Sequence, residues 1–224
     1  MFVLLVLTLV ACSSGDPQVE YEVPDEVVAD NGYDSIDETP IDDTPIDPLE
    51  RQSEEITHVV IHFISNVIAN RENPYIIEDI LRIFQDYGVN AHYLIDRDGT
   101  IHSVVPENRV AFHAGPGSLV DFPEYESLNR HSIGIELLGI GTQEEMSQFL
   151  TAAEYNALDP SLIGFTDAQY EALNWLLNEI LARHPTIKPS RTHIIGHSEW
   201  APDKPDPGEL FEWERLDFMN NPTS

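Results

Sequence analysis

Thr57-His58-Val59-Val60-Ile61-His62-Phe63-Ile64 (57 to 64) is apolar at nearly every position and alternates poorly, the pattern of a strand covered on both faces of a sheet. The residues around it supply the covering elements. Ile77, Ile80, Leu81 and Phe84 recur at helical spacing, Pro74 stands where a helix could open, and Gly88 can give the left-handed cap that ends one. Residues 91 to 105 read as a hairpin turned at Asp98-Gly99. Residues 132 to 138 predict another strand. Thr166 can then cap a helix whose Tyr170, Leu173, Leu176, Leu177, Ile180 and Leu181 keep the helical period until Pro185 stops it. Residues 192 to 196 return to a buried strand. Strands interleaved with helices, but including one hairpin, predict an α/β fold: a mixed central β-sheet flanked by helices. Residues 139 to 164 have no clear period and read as an insertion or rim loop.

The chain has 224 residues, 42% of them apolar, enough for one substantial core and too few for two large domains. Its formal charge of -29, without a basic patch, argues against nucleic acid and anionic membrane surfaces as partners. Residues 1–11 form an apolar run about half as long as the ~20 residues of a membrane span, and read as a signal peptide. The small residues before Cys12 resemble the lipobox of bacterial lipoproteins. Cleavage there would leave Cys12, the only cysteine, as a lipidated N-terminus and the only tie to a membrane. Ser13 and Ser14, with no Asp beside the cysteine, resemble outer-membrane sorting, which implies a cell-envelope lipoprotein facing the periplasm. Residues 12–55 are rich in Asp, Glu, Pro, Ser and Thr, repeat Thr-Pro-Ile-Asp at 39 to 42 and 44 to 47, and carry Arg51 as their only strong base. That composition predicts a disordered acidic tether, leaving 56–216 as the domain and 217–224 as a tail.

Residues 196 to 208, Gly-His-Ser-Glu-Trp-Ala-Pro-Asp-Lys-Pro-Asp-Pro-Gly, place His197, Lys204 and Asp206 on one proline-stiffened loop leaving an apolar run. An imidazole and a carboxylate suit a zinc ion, and an ammonium can stabilise charge developing on a substrate oxygen. His62 and His197 each end an apolar run, where an open sheet presents its ligands. In Ser132-Ile133-Gly134-Ile135-Glu136-Leu137, alternation puts Gly134 and Glu136 on one face, so the glycine clears space beside the carboxylate. A carboxylate in so apolar a strand is costly to bury without a partner. His58, His102, His131, His184 and His193 have no motif around them and read as surface or structural histidines. His92 and His113 are intermediate.

These landmarks resemble, in order, the type 2 N-acetylmuramoyl-L-alanine amidases, zinc enzymes related to phage T7 lysozyme and the peptidoglycan recognition proteins. They are Val-Val-Ile-His (59 to 62), Ala-His-Tyr-Leu-Ile-Asp-Arg-Asp-Gly-Thr-Ile (91 to 101), Ala-Phe-His-Ala-Gly (111 to 115), Ser-Ile-Gly-Ile-Glu-Leu (132 to 137), and Gly-His-Ser-Glu with Asp-Pro-Gly. The resemblance spans roughly 56 to 216 and implies one zinc held by His62, His197 and Asp206. It further implies Glu136 as general base and acid, Lys204 as oxyanion stabiliser, His113 on the substrate side, and peptidoglycan or muropeptides as substrate. The bond cut would be the amide between N-acetylmuramic acid and L-alanine. One departure is a His197 to Asp206 spacing one residue shorter than in close bacterial relatives, so the loop must take a tighter path. Two other readings stand beside this one: a non-catalytic peptidoglycan-binding module of the same fold, and a serine hydrolase using Ser198 in Gly196-His197-Ser198-Glu199-Trp200. Against the latter, the fifth residue is Trp and the following prolines oppose the helix that an elbow requires.

Overall fold

The computed structural model describes residues 49–220. The expected signal segment 1–11, the acylation site Cys12 and the acidic stretch up to residue 48 lie outside these residues.

Five strands form one sheet in the order β3-β2-β4-β1-β5. β1 (His58–Ile64) lies between β4 (Ser132–Leu138) and β5 (Ile194–Gly196), parallel to both. β2 (Tyr93–Ile95) runs parallel to β4 and antiparallel to β3 (Ile101–Ser103), closing the expected hairpin. Its turn is made by Asp96, whose amide donates to the Thr100 carbonyl at 2.9 Å, and by Gly99 at φ +89°, a left-handed conformation that side chains resist. The sheet is therefore mixed, as the alternation of elements predicts.

Side-chain parity sorts the strands into two faces. Val59, Ile61, Ile133, Ile135 and Leu137 pack against Leu173, Leu176, Leu177 and Ile180 of α3 (Asp167–Arg183). Each such buried side chain contributes about 1.5–3 kcal/mol of transfer free energy. Thr166 caps α3, its hydroxyl accepting from the Gln169 amide at 3.1 Å. On the other face, Leu94 and Leu138 meet Ile80 and Phe84 of α1 (Ile77–Tyr87), which ends at Gly88 with φ +63°. Further along the same face, Val60 and Ile195 meet Leu128 and Trp200. This face also carries His62, Gly134 and Glu136. Pro74 does not open α1: the helix begins three residues later, and the Pro74 carbonyl instead accepts from the Asn66 amide, closing the loop before it.

The segment 139 to 164 is more ordered than its lack of period implies. It contains α2 (Ala152–Asn156) and buries Met146, Leu150 and Leu158 beside Ile140. Arg97 holds it to the sheet by donating to the carbonyls of Leu138, Ser161 and Gly164. The domain also begins before residue 56. Arg51, expected in the solvated tether, is buried, and its guanidinium donates to the carbonyls of Glu107, Asn129, Arg130 and Ser132 and meets His92 Nε2 at 2.7 Å. Four carbonyls converging on one site leave an unmet demand for donors, and a single guanidinium answers it. At the other end, α5 (Asp217–Asn220) continues past the expected boundary at 216, with the Asp217 amide bonded to Asn174 at 2.8 Å. No helix among the described residues is long and apolar enough to cross a membrane.

Candidate active site

In the β1–β4 register His62 stands opposite Glu136, so both side chains leave the same face side by side. His197 follows directly on β5, opening the one-turn helix α4 (His197–Trp200). Asp206 is brought back to it by a loop closed through the Ser198 amide, which donates to the Asp206 carbonyl at 3.0 Å. The Pro207 ring then lies against Gly196, where a Cβ would sit 2.6 Å from it. Glu145 braces the far side, with one carboxylate oxygen accepting from the Thr142 amide at 2.6 Å and the other from the Glu209 amide at 2.7 Å.

The result is a convergence of acceptors. His62 Nδ1 lies 2.7 Å from Asp206 Oδ2, and His197 Nδ1 lies 2.9 Å from the same oxygen. All three residues are buried and can each direct one ligand atom to a common point, these atoms lying within 4.8 Å of one another. Two imidazole nitrogens and one carboxylate oxygen form a donor set suited to a catalytic zinc with room for one further ligand. Burial pulls His62 below the ordinary histidine range, against the opposing pull of Asp206. For Asp206, burial works against ionisation, but hydrogen bonds from His197 and His62 prevail and hold the carboxyl well below its usual range. The ligand set is thus held as a carboxylate between two imidazoles.

Glu136 differs. Its Oε2 is buried without a hydrogen-bond partner. Burial first, and then the neighbouring Asp206 charge, push its carboxyl well above the ordinary range. A carboxyl so placed favours its protonated form. Gly134 does clear space on this face, and the space is taken by His113: a Cβ on Gly134 would lie 2.5 Å from the His113 ring.

His113, expected on the substrate side, has both ring nitrogens engaged, Nδ1 with His62 Nε2 at 3.0 Å and Nε2 with the Ser132 hydroxyl at 3.2 Å. It sits beneath His62, buried, while the preceding Phe112 is exposed. Lys204 is exposed on the loop facing Glu144 and Glu145 across a shallow depression. Among the described residues no ion pair ties Lys204 to Asp203 or to the acceptor cluster. Ser198 is exposed too, and among the described residues no histidine bonds its hydroxyl. The helix that follows Ser198 stops after one turn at Trp200, just before Pro202.

Of the remaining histidines, His184 pairs with Glu107 at 2.7 Å, and His131 and His193 bond to the carbonyls of Glu55 and Thr57. Sequence reasoning missed Ser132, Asn129 and the Ala114 carbonyl around the site. Ser132 was accessible in principle, because parity places it on the face of Gly134 and Glu136.

Residues 52–209 match the family described as N-acetylmuramoyl-L-alanine amidase (Amidase_2). The 1,6-anhydro-N-acetylmuramyl-L-alanine amidase AmpD of Citrobacter freundii is 36% identical over 137 residues, 61% of this chain and 59% of that protein. Its Haemophilus influenzae counterpart is 34% identical over 175 residues, 72% of this chain and 81% of that protein. The first of these relatives is therefore matched over less than two thirds of its length. Among solved structures, the N-acetylmuramyl-L-alanine amidase AmiD from E. coli, in complex with the substrate anhydro-N-acetylmuramic acid-L-Ala-D-gamma-Glu-L-Lys, superposes with a TM-score of 0.54. It is 30% identical, over 72% of this chain and 56% of that one. The matched span contains the whole acceptor cluster and Glu136, and by it the chain belongs to the N-acetylmuramoyl-L-alanine amidase family.

Proposed function

We propose that this chain is a zinc amidase that hydrolyses the bond between N-acetylmuramic acid and L-alanine in peptidoglycan or its muropeptides, 1,6-anhydro-muramyl peptides included. The observation that carries this reading is the buried convergence of His62, His197 and Asp206 beside Glu136, a carboxyl left without a partner. The names of the relatives, and the anhydro-muramyl peptide held by the AmiD structure, support the substrate class.

The three residues would hold zinc, and the ion would supply Lewis acidity to acidify water and polarise the scissile carbonyl. The protein's own part is proton transfer and charge. Glu136, with its raised affinity for protons, accepts one from the attacking water and returns it to the leaving L-alanine amine. Lys204, exposed at the rim, offsets negative charge on the carbonyl oxygen. The apolar run at 1–11 and the residues around Cys12 support a lipoprotein in the bacterial cell envelope, facing the periplasm from the outer membrane.

Mass spectrometry of anhydro-muropeptides incubated with the purified protein tests the reading. Free stem peptide beginning at L-alanine is expected, with its release stopped by a chelator and restored by zinc. Zinc-loaded protein that binds muropeptides but leaves them intact would establish the binding-module alternative.

A further inference from the structure

We propose that Glu145 is a positioning residue for the metal centre, through which the segment 139 to 164 clamps the loop that carries Lys204 and Asp206. The inference rests on the metal reading above and adds to it the part of the chain that keeps the third ligand in place.

Of the three ligand residues, Asp206 is the one without regular structure beneath it. His62 belongs to β1 and His197 follows directly on β5, whereas Asp206 stands in a loop outside every helix and strand. One side of that loop is fixed where the Ser198 amide holds the Asp206 carbonyl and the Pro207 ring lies on Gly196. What remains is the exit. Gly208 turns the chain at φ +82°, a conformation that side chains resist, and the next amide, that of Glu209, donates to Glu145 Oε1 at 2.7 Å. A Cβ on Gly208 would lie 2.6 Å from that oxygen, so the glycine admits the carboxylate as well as the turn.

Glu145 is itself held. Its Oε2 accepts from the Thr142 amide at 2.6 Å, and its own amide returns a bond to the Thr142 hydroxyl at 3.3 Å. The Tyr155 hydroxyl donates to the Gly141 carbonyl at 2.8 Å, and the adjoining Met146 is buried with Ile140 and Leu150. The brace therefore reaches out from a packed element. One carboxylate spent on the amides of two separate segments joins them more firmly than a surface ion pair would, because neither amide has side-chain freedom to lose.

The site needs that firmness. Asp206 must meet His62 and His197 together, and the three donor atoms lie within 4.8 Å of one another. Loosening the loop spreads them and weakens the site without deleting a ligand, as loss of supporting contacts does in metal centres generally.

The test uses the full chain and three substitutions. Glu145→Ala removes both bonds, and Glu145→Gln keeps one acceptor while setting an amino group against the other amide. Leu158→Ala loosens the same segment through its buried core, away from the brace. Zinc affinity, read by chelator competition, should fall about tenfold in Glu145→Ala and less in Glu145→Gln. In Leu158→Ala it should stay within about twofold of wild type although the urea midpoint drops. Hydrogen exchange at residues 203 to 209 of the metal-free chain should quicken in Glu145→Ala and not in Leu158→Ala. Zinc affinity within about twofold of wild type in both Glu145 variants overturns the proposal. An equal fall in Leu158→Ala also overturns it, since the loss would then follow general stability. Should Glu145→Ala fail to fold, Glu145→Gln decides by the same two readouts. Failure of the wild type to take up zinc would overturn the metal reading instead, and unchanged exchange in the Glu145 variants would still overturn the brace.

Discussion

Glu136 is held where its charge is least welcome, so what it does is decided by whether it can carry a proton. Glu136→Gln keeps shape and burial but cannot take a proton from water. Zinc content should stay stoichiometric while turnover on muropeptides drops about 10²–10⁴-fold. Wild-type turnover in that variant would remove Glu136 from the chemistry. Gly134→Ala tests the floor beneath it without deleting a polar group. The new methyl would lie 2.5 Å from the His113 ring, so the ring must move. Overpacking of this kind costs about 1–3 kcal/mol, readable as a lower urea midpoint, and zinc affinity should fall with it. His62, Glu136 and His197 stood out because ionisable residues at the ends or centres of apolar runs are conspicuous; Asp206, in a proline-rich loop, stood out only through the Asp-Pro-Gly landmark of the resemblance. Asn129 and Ala114 were not, because one acts on backbone amides and the other through its carbonyl, and neither contact leaves a pattern in residue types.

At the scale of elements, α3 and the hairpin were legible because their signals are local. Thr166 caps the helix through its own first turn, and the Asp98-Gly99 turn needs no distant partner. Thr166→Ala should cost about 0.5–2 kcal/mol, and the upper part of that range is expected because the hydroxyl also donates to the Arg97 carbonyl at 2.7 Å. A thermal shift below the range would make the cap redundant. Residues 139 to 164 were opaque for the opposite reason. Their order depends on Arg97, more than 40 residues before Gly139, and on Glu145 reaching forward to Glu209. Short helices stabilised by tertiary contacts carry little periodicity of their own. Arg51 was misread on the same ground, because a lone base in an acidic run looks solvated until its carbonyl acceptors, 56 to 81 residues away, come into view.

For the whole molecule, two measurements follow. A chain beginning at residue 49 should melt with the full-length protein, because composition gives the acidic stretch little apolar surface to bury. One beginning at residue 55 loses Arg51 and should fall by several kcal/mol, since each abandoned buried acceptor costs about 1–3 kcal/mol; equal stability of the two would restore the boundary at 56. Stability should also fall in acid. Burial and His193 hold His58 down to about 4, and burial and Arg51 hold His92 down to about 3, so the folded state refuses protons that the unfolded chain accepts below about 6.5. Their contribution is complete above that pH and is lost as pH falls through the folded values. Glu107 adds a later loss of the same sign. Burial opposes its ionisation, yet His184 and Arg183 bring it to about 2, so its contribution is present above about 4.5 and disappears toward 2. Urea midpoints should therefore decline steadily from pH 7 to pH 4; a flat profile would contradict the assignment. The pairing of His62 with Glu136 has one more consequence. One face of β1 and β4 packs its apolar side chains on α3 while the other carries His62, Gly134 and Glu136, so a slip of one residue would turn a charged or polar side chain into the core. The same alternation that buries the core therefore also fixes which residue meets which across the site. Refolded molecules that recover the core should recover the site with it, and specific activity after refolding should track the folded fraction.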